Sequence, residues 1–152
     1  MTPRPRLDAL LALSLAGVAV AAYLSWVALD PDAAVECSGV GDCAAVQSSE
    51  YADVAGIPVA LLGLAMYATL AALCALRRIG PWSADPAGEP RALGVWCFAL
   101  ALAGTGFSAY LTYLELFVIE AICVWCVGSA ALITAIAVLA AVDLGPHRRS
   151  AA

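Results

Sequence analysis

Charge is what this sequence has least of. Only 12% of its 152 residues are charged, about half the share usual in soluble domains. Lysine is absent, so all seven basic residues are arginines, and the single histidine is His147, next to Arg148 and Arg149. A net charge of −5 and a pI near 4.5 leave no basic surface for a nucleic acid. Apolar residues make up 64% of the chain, and the mean hydropathy is +0.93. That composition excludes a soluble globular domain. It implies an all-α integral membrane protein built as one membrane domain over residues 1–152, with no room for a separate soluble domain.

Four apolar runs are each long enough to cross a hydrocarbon core of about 30 Å, at residues 7–29, 57–76, 92–114 and 117–142. The first follows Arg4 and Arg6 and has small residues at Ala21 and Ala22, as a cleaved leader does. It continues through Tyr23, Leu24, Trp26 and Leu29, beyond the apolar core of a secretion signal, so a retained span is expected. Pro58 falls in the first turn of the second run, where its missing N–H costs nothing. Gly94, Gly104, Gly106 and Ser108 in the third would let a neighbouring helix approach closely. Residues 30–56 form the one long polar stretch. Its Gly and Asp residues read as a loop carrying Cys37 and Cys43, and a short interfacial helix is expected from Ala44 onward.

In a four-span topology every arginine falls on one side: Arg4, Arg6, Arg77, Arg78, Arg91, Arg148 and Arg149. The positive-inside rule makes that side the cytoplasm, with both termini there. The cysteine loop and the start of the fourth span then face the opposite, oxidising compartment, where disulfide chemistry is at home.

Six cysteines are present. Cys74 and Cys97 stand alone in apolar runs and read as small hydrophobes. Cys123 and Cys126 form a C-x-x-C at the start of the last span, on one helix face. Cys126 lies about 4.5 Å deeper along the axis than Cys123. The next residue is Val127 rather than His, which excludes c-type haem attachment. Thiol–disulfide exchange proceeds by thiolate attack, so electrons pass between two cysteine pairs whose sulfurs can touch. A loop bearing Cys37 and Cys43 can meet an external thiol and fold back over Cys123. A lipid-soluble two-electron acceptor such as a quinone can reach Cys126. Other readings remain at this point: two structural disulfides, a zinc site made of all four thiolates, or a non-enzymatic membrane protein that binds or conducts a soft metal. Glu115 and Glu120 read as interfacial charges. Trp26, Tyr51 and Trp125 suit an aromatic belt, and Trp125 could also stack on a bound ring.

The motifs together resemble one family. Cys37 and Cys43, Ser48-Ser49-Glu50-Tyr51-Ala52, Gly56-Ile57-Pro58-Val59, the stretch from Tyr110 to Leu116 and Cys123-Val124-Trp125-Cys126 are similar to bacterial vitamin K epoxide reductase (VKOR) homologues. The resemblance implies a four-transmembrane-helix bundle around a quinone site in the bacterial cytoplasmic membrane. Such proteins are quinone-dependent thiol oxidases that keep a DsbA-like, thioredoxin-fold protein oxidised. By that resemblance Cys37 exchanges with the partner, Cys43 passes electrons to Cys123, and Cys126 is the quinone-side thiol. Ser49 matches the loop serine that helps hold the cap over the site. The quinone would be a menaquinone, a ubiquinone or a vitamin K-like ring, and no metal is implied.

Two departures from the family stand out. Many bacterial members carry a fused thioredoxin-like domain, whereas the chain as given implies a separate partner. Val59 and Ala130 occupy positions where the mammalian pattern has an Asn and a Tyr. Neither side chain can hydrogen-bond, so the quinone site, with Trp125 and Cys126 beside it, is expected to be largely apolar.

Overall fold

A computed structural model describes residues 5–30, 32–37, 39, 41–81 and 91–145. Among these, four helices are long and apolar enough to cross a membrane, which makes the chain a multi-pass membrane protein of the all-α class. Helix α1 covers Pro5–Leu29, and the short α2 covers Cys43–Gln47. A two-stranded hairpin of β1 (Asp53–Val54) and β2 (Ile57–Pro58) leads into α3 (Val59–Ile79). Helix α4 (Arg91–Leu114) continues through a π-helical turn at Glu115–Ile119, and α5 spans Val124–Leu144. The four long helices form a ring in which α1 packs on α3, α3 on α4, α4 on α5 and α5 on α1.

Packing follows the side-chain pattern. Leu10, Tyr67, Leu70, Ala101, Ile133 and Ile136 are buried in the ring's centre, while Leu15, Trp96, Leu102 and Val138 face outward. Outward apolar side chains are what a hydrocarbon solvent permits. Gly104 sits where α4 meets α3 and α5. A Cβ there would come within 2.5 Å of Met66 Sδ and 2.9 Å of Ile133 Cγ1, so only glycine allows this approach. At Gly94 a Cβ would meet the tip of Leu144 at 3.0 Å, a tight contact that a small shift of that side chain relieves, whereas Gly106 meets nothing.

The start of α1 and the ends of α3 and α5 meet at one end of the ring. Arg78 Nε pairs with Asp8 at 2.7 Å, and Arg77 Nη2 pairs with Asp143 at 2.6 Å. The first pair is about two-fifths exposed and contributes at most about 1 kcal/mol. In the second Arg77 is buried and Asp143 partly so, so losing the aspartate would leave the guanidinium charge less well compensated away from water. Arg6 and Arg91, at the starts of α1 and α4, share this end. Arg4, His147, Arg148 and Arg149 lie outside the described residues.

Two boundaries differ from the sequence expectation. The last span was expected from residue 117, but residues 117–119 complete the preceding helix and α5 begins at Val124. Leu116 to Ile119 hold no Gly or Pro, so the helix runs on until Glu120, which turns left-handed at φ 56°. Cys123 then takes an extended conformation as the N-cap of α5. At the second span, Ile57 pairs with Val54 across a turn formed by Ala55 and Gly56, both at positive φ. Pro58 is therefore the N-cap of α3 and stands just before its first turn.

Candidate redox site and cavity

Cys37 and Cys43 form a disulfide whose Cα atoms are 6.0 Å apart. Cys43 opens α2, where Asp42 accepts a hydrogen bond from the Ala45 N–H at 3.0 Å and so caps the helix. The Asp42 N–H donates in turn to Ile122 O at 3.0 Å, which ties the loop to the segment before α5. Gly41 makes that docking possible. It sits at φ 87°, and a Cβ there would collide with the Ile122 carbonyl. The result is a small buried cluster of Cys43, Val46 and Cys123, with Cys37, Ile119, Val124 and Cys126 packed around it. Cys43 and Cys123 are fully enclosed, while Cys37 is half-buried. Of the loop pair, Cys37 is thus the one an external molecule can approach.

Trp125 holds the other side of the loop. Its indole N–H donates to Glu36 O at 2.9 Å, and the Glu36 N–H donates to Tyr23 Oη at 3.3 Å. The Tyr23 and Trp125 rings meet at 5.0 Å. Trp125 therefore fixes the residue just before Cys37 and does not line the cavity described below. Ser49 Oγ donates to Val46 O at 2.7 Å, tightening the end of α2, and the Ser49 carbonyl accepts from the Ala52 N–H. The serine thus braces the cap from within.

Cys123 and Cys126 are both thiols. Cys123 lies just outside the membrane-spanning part of α5. The neighbouring Cys126 sulfhydryl, with help from the amides of Cys126 and Trp125 at the helix start, lowers its pKa to about 7, against burial and the nearby Glu115 carboxylate. Glu115 itself is buried, only 4% exposed. Its Oε2 accepts the Cys123 N–H at 3.0 Å, and its carboxylate is within hydrogen-bonding reach of the Cys126 thiol. The interfacial reading of Glu115 is therefore wrong. Glu115 continues the cavity-facing stripe of α4 that carries Gly104, Ser108 and Leu111, and a π-helical turn, frequent at functional sites, begins at it.

Beside the thiols a cavity of about 460 Å³ runs through the bundle under α2 and the hairpin, within the range of small-molecule sites. Leu24, Val59, Met66, Phe107 and Leu111 make its walls apolar, and Cys126 and Glu115 stand at its edge. Ser49 lines the cap. The lining is not wholly apolar, however. Tyr67 and Ser129 also face the cavity, with Tyr67 Oη 2.8 Å from Ser129 O and 3.1 Å from Ser129 Oγ. Ser129 follows Cys126 by three residues, so both lie on one face of α5. Of the residues expected around a bound ring, Cys126 and Val59 line this space. Ala130 instead faces a separate shallow groove between α4 and α5 with Thr112, Val127 and Thr134. A one-residue step on a helix turns the side chain by about 100°, which separates Ala130 from Ser129. The cavity suits a flat, mostly apolar molecule with polar atoms at its rim.

Cys74 and Cys97, expected to stand alone, meet inside the opposite end of the bundle near Arg77. They remain free thiols.

A family model described as the vitamin K epoxide reductase family matches residues 9–141.

Proposed function

The chain belongs to the vitamin K epoxide reductase family, membrane oxidoreductases of thiols, and on that footing we propose that it is a quinone-dependent thiol oxidase. A reduced thioredoxin-fold protein of the DsbA kind gives electrons to the Cys37–Cys43 pair. The Cys123–Cys126 pair takes them next and passes them to a membrane quinone in the cavity. The observation that carries this reading is the continuity of the sulfurs. A half-buried Cys37 is bonded to Cys43, Cys43 shares one buried cluster with Cys123, and Cys126 opens onto the cavity. A bound quinone supplies a two-electron sink, matching the two electrons of a dithiol.

The protein's own residues supply the rest. The partner's thiolate attacks Cys37, and its second thiol resolves the mixed disulfide, leaving the loop pair reduced. The Cys43 thiolate then attacks Cys123 in an oxidised Cys123–Cys126 pair and expels Cys126. The Cys37 thiolate attacks Cys43, re-forms the loop disulfide and releases Cys123. A leaving thiol with a pKa near 7 departs readily, which favours this direction. A loop disulfide beside two inner thiols is the product of that exchange, poised to reduce the acceptor. Tyr67 and Ser129, on the cavity wall, are able to hydrogen-bond a carbonyl of the bound ring. The arginine-rich end faces the cytoplasm by the positive-inside rule, so the loop meets its partner outside the cytoplasm, at a bacterial inner membrane.

Removing Cys43 tests the order of exchange. In Cys43→Ala, incubation with an oxidised thioredoxin-fold partner should trap a mixed disulfide through Cys37, seen as a shift on a non-reducing gel and absent from a variant that also lacks Cys37. An adduct that survives loss of Cys37, or no adduct with a folded protein, would overturn the relay.

A further inference from the structure

Two carboxylates that the sulfur relay does not use line the cavity, an exposed Asp53 and a buried Glu115. Glu115 is a carboxylate buried at the wall of a mostly apolar space. A carboxylate kept away from water needs a partner or a task, and no ion pair to it is present among the described residues. Its one backbone donor is the Cys123 N–H at 3.0 Å, which holds the carboxylate beside the C-x-x-C on the cavity lining it shares with Cys126. The Cys126 thiol lies within hydrogen-bonding reach of the same group.

Oxidising a dithiol with a quinone moves protons as well as electrons. Two S–H bonds break, one S–S bond forms between Cys123 and Cys126, and an electron pair and two protons end on the acceptor as two O–H bonds. Water is a poor proton carrier in a space walled by Leu24, Val59, Met66 and Phe107. We propose that Glu115 is the proton carrier of the site, its carboxylate taking the Cys126 proton and handing it to an oxygen of the quinone in the cavity. The carboxylate is regenerated in each cycle, so no further reactant is needed. This step rests on the quinone-oxidase reading and adds to it a catalytic acid–base residue.

The test is Glu115→Gln, which keeps an oxygen to accept the Cys123 N–H and removes the titrating group. Purified protein should lose about 100-fold in kcat for quinone reduction by a small dithiol, with the quinone KM changed less than about twofold. Glu115→Asp should restore part of kcat. A second readout uses quinone-free protein and a membrane-permeant maleimide, with modification of Cys126 assigned by peptide mass spectrometry. If Glu115 accepts the thiol proton, Cys126 keeps a plateau of reactivity well below pH ~8.5, the range of an ordinary thiol. Glu115→Gln should lose that plateau. If the carboxylate only opposes the thiolate by its charge, the substitution should speed modification instead, which would overturn the proposal. Turnover of Glu115→Gln within about twofold of the wild type would also overturn it, while leaving the oxidase reading intact. Failure of the wild type itself to reduce any quinone would overturn both.

Discussion

A thiol with a pKa near 7 beside a second thiol is the residue-scale centre of this account. The largest influence on Cys123 is the sulfhydryl of Cys126, ahead of the amides at the start of α5. Above pH 7 Cys123 is mainly thiolate, and below it mainly thiol. Its thiolate absorbance, taken as the difference from Cys123→Ala in protein with the loop disulfide intact, should rise with a midpoint near pH 7. In Cys126→Ala the midpoint should move up, because the main stabilising donor is gone. An unmoved midpoint would mean that the helix start alone sets the value. The two cysteine pairs were legible in the sequence because spacing and compartment restrict what such pairs do. Glu115, Tyr67 and Ser129 were not. A Glu at the end of an apolar run is by default an interfacial charge, and only the packing of the α4 face that carries Gly104, Ser108 and Leu111 onto the cavity shows that it lies inside. Tyr67 and Ser129 come from different helices, and single-chain periodicity does not show which faces will meet.

Among the elements, the cap over the site depends on small contacts acting together. Asp42 closes α2, Gly41 lets the loop lie on Ile122, and Trp125 clasps the Glu36 carbonyl. Trp125 was anticipated as an aromatic near the quinone ring, but its indole N–H found the loop backbone first. Trp125→Phe keeps the ring against Tyr23 and removes the 2.9 Å hydrogen bond, a loss of about 1 kcal/mol. Electron transfer from the loop pair to the inner pair, followed by stopped flow, should slow about fivefold. An unchanged rate would show that the clasp does not hold the loop in its reactive position. The long helices themselves were legible, since apolar runs of this length have few alternatives. Their ends were less so. The hairpin at Asp53–Pro58 rests on a two-residue Ala55–Gly56 turn, and Ala is an uncommon choice at positive φ.

Across the whole molecule, two ends of one bundle carry different chemistry. The arginine end is closed by the Arg77–Asp143 and Arg78–Asp8 pairs, with Cys74 and Cys97 buried nearby. The other end is assembled from parts far apart in the chain: the loop after α1, the hairpin before α3, the turn after α4 and the start of α5. That assembly sets the half-buried Cys37, the enclosed Cys43 and Cys123, and the cavity-lining Cys126 at one end of the bundle. The most direct test is quinone absorbance followed over time. It uses purified protein, a quinone and a reduced thioredoxin-fold donor, with Cys126→Ala run in parallel. The account predicts turnover in the wild type and none in the variant. No turnover with any quinone or thiol donor in folded wild-type protein, or undiminished turnover in Cys126→Ala, would contradict it.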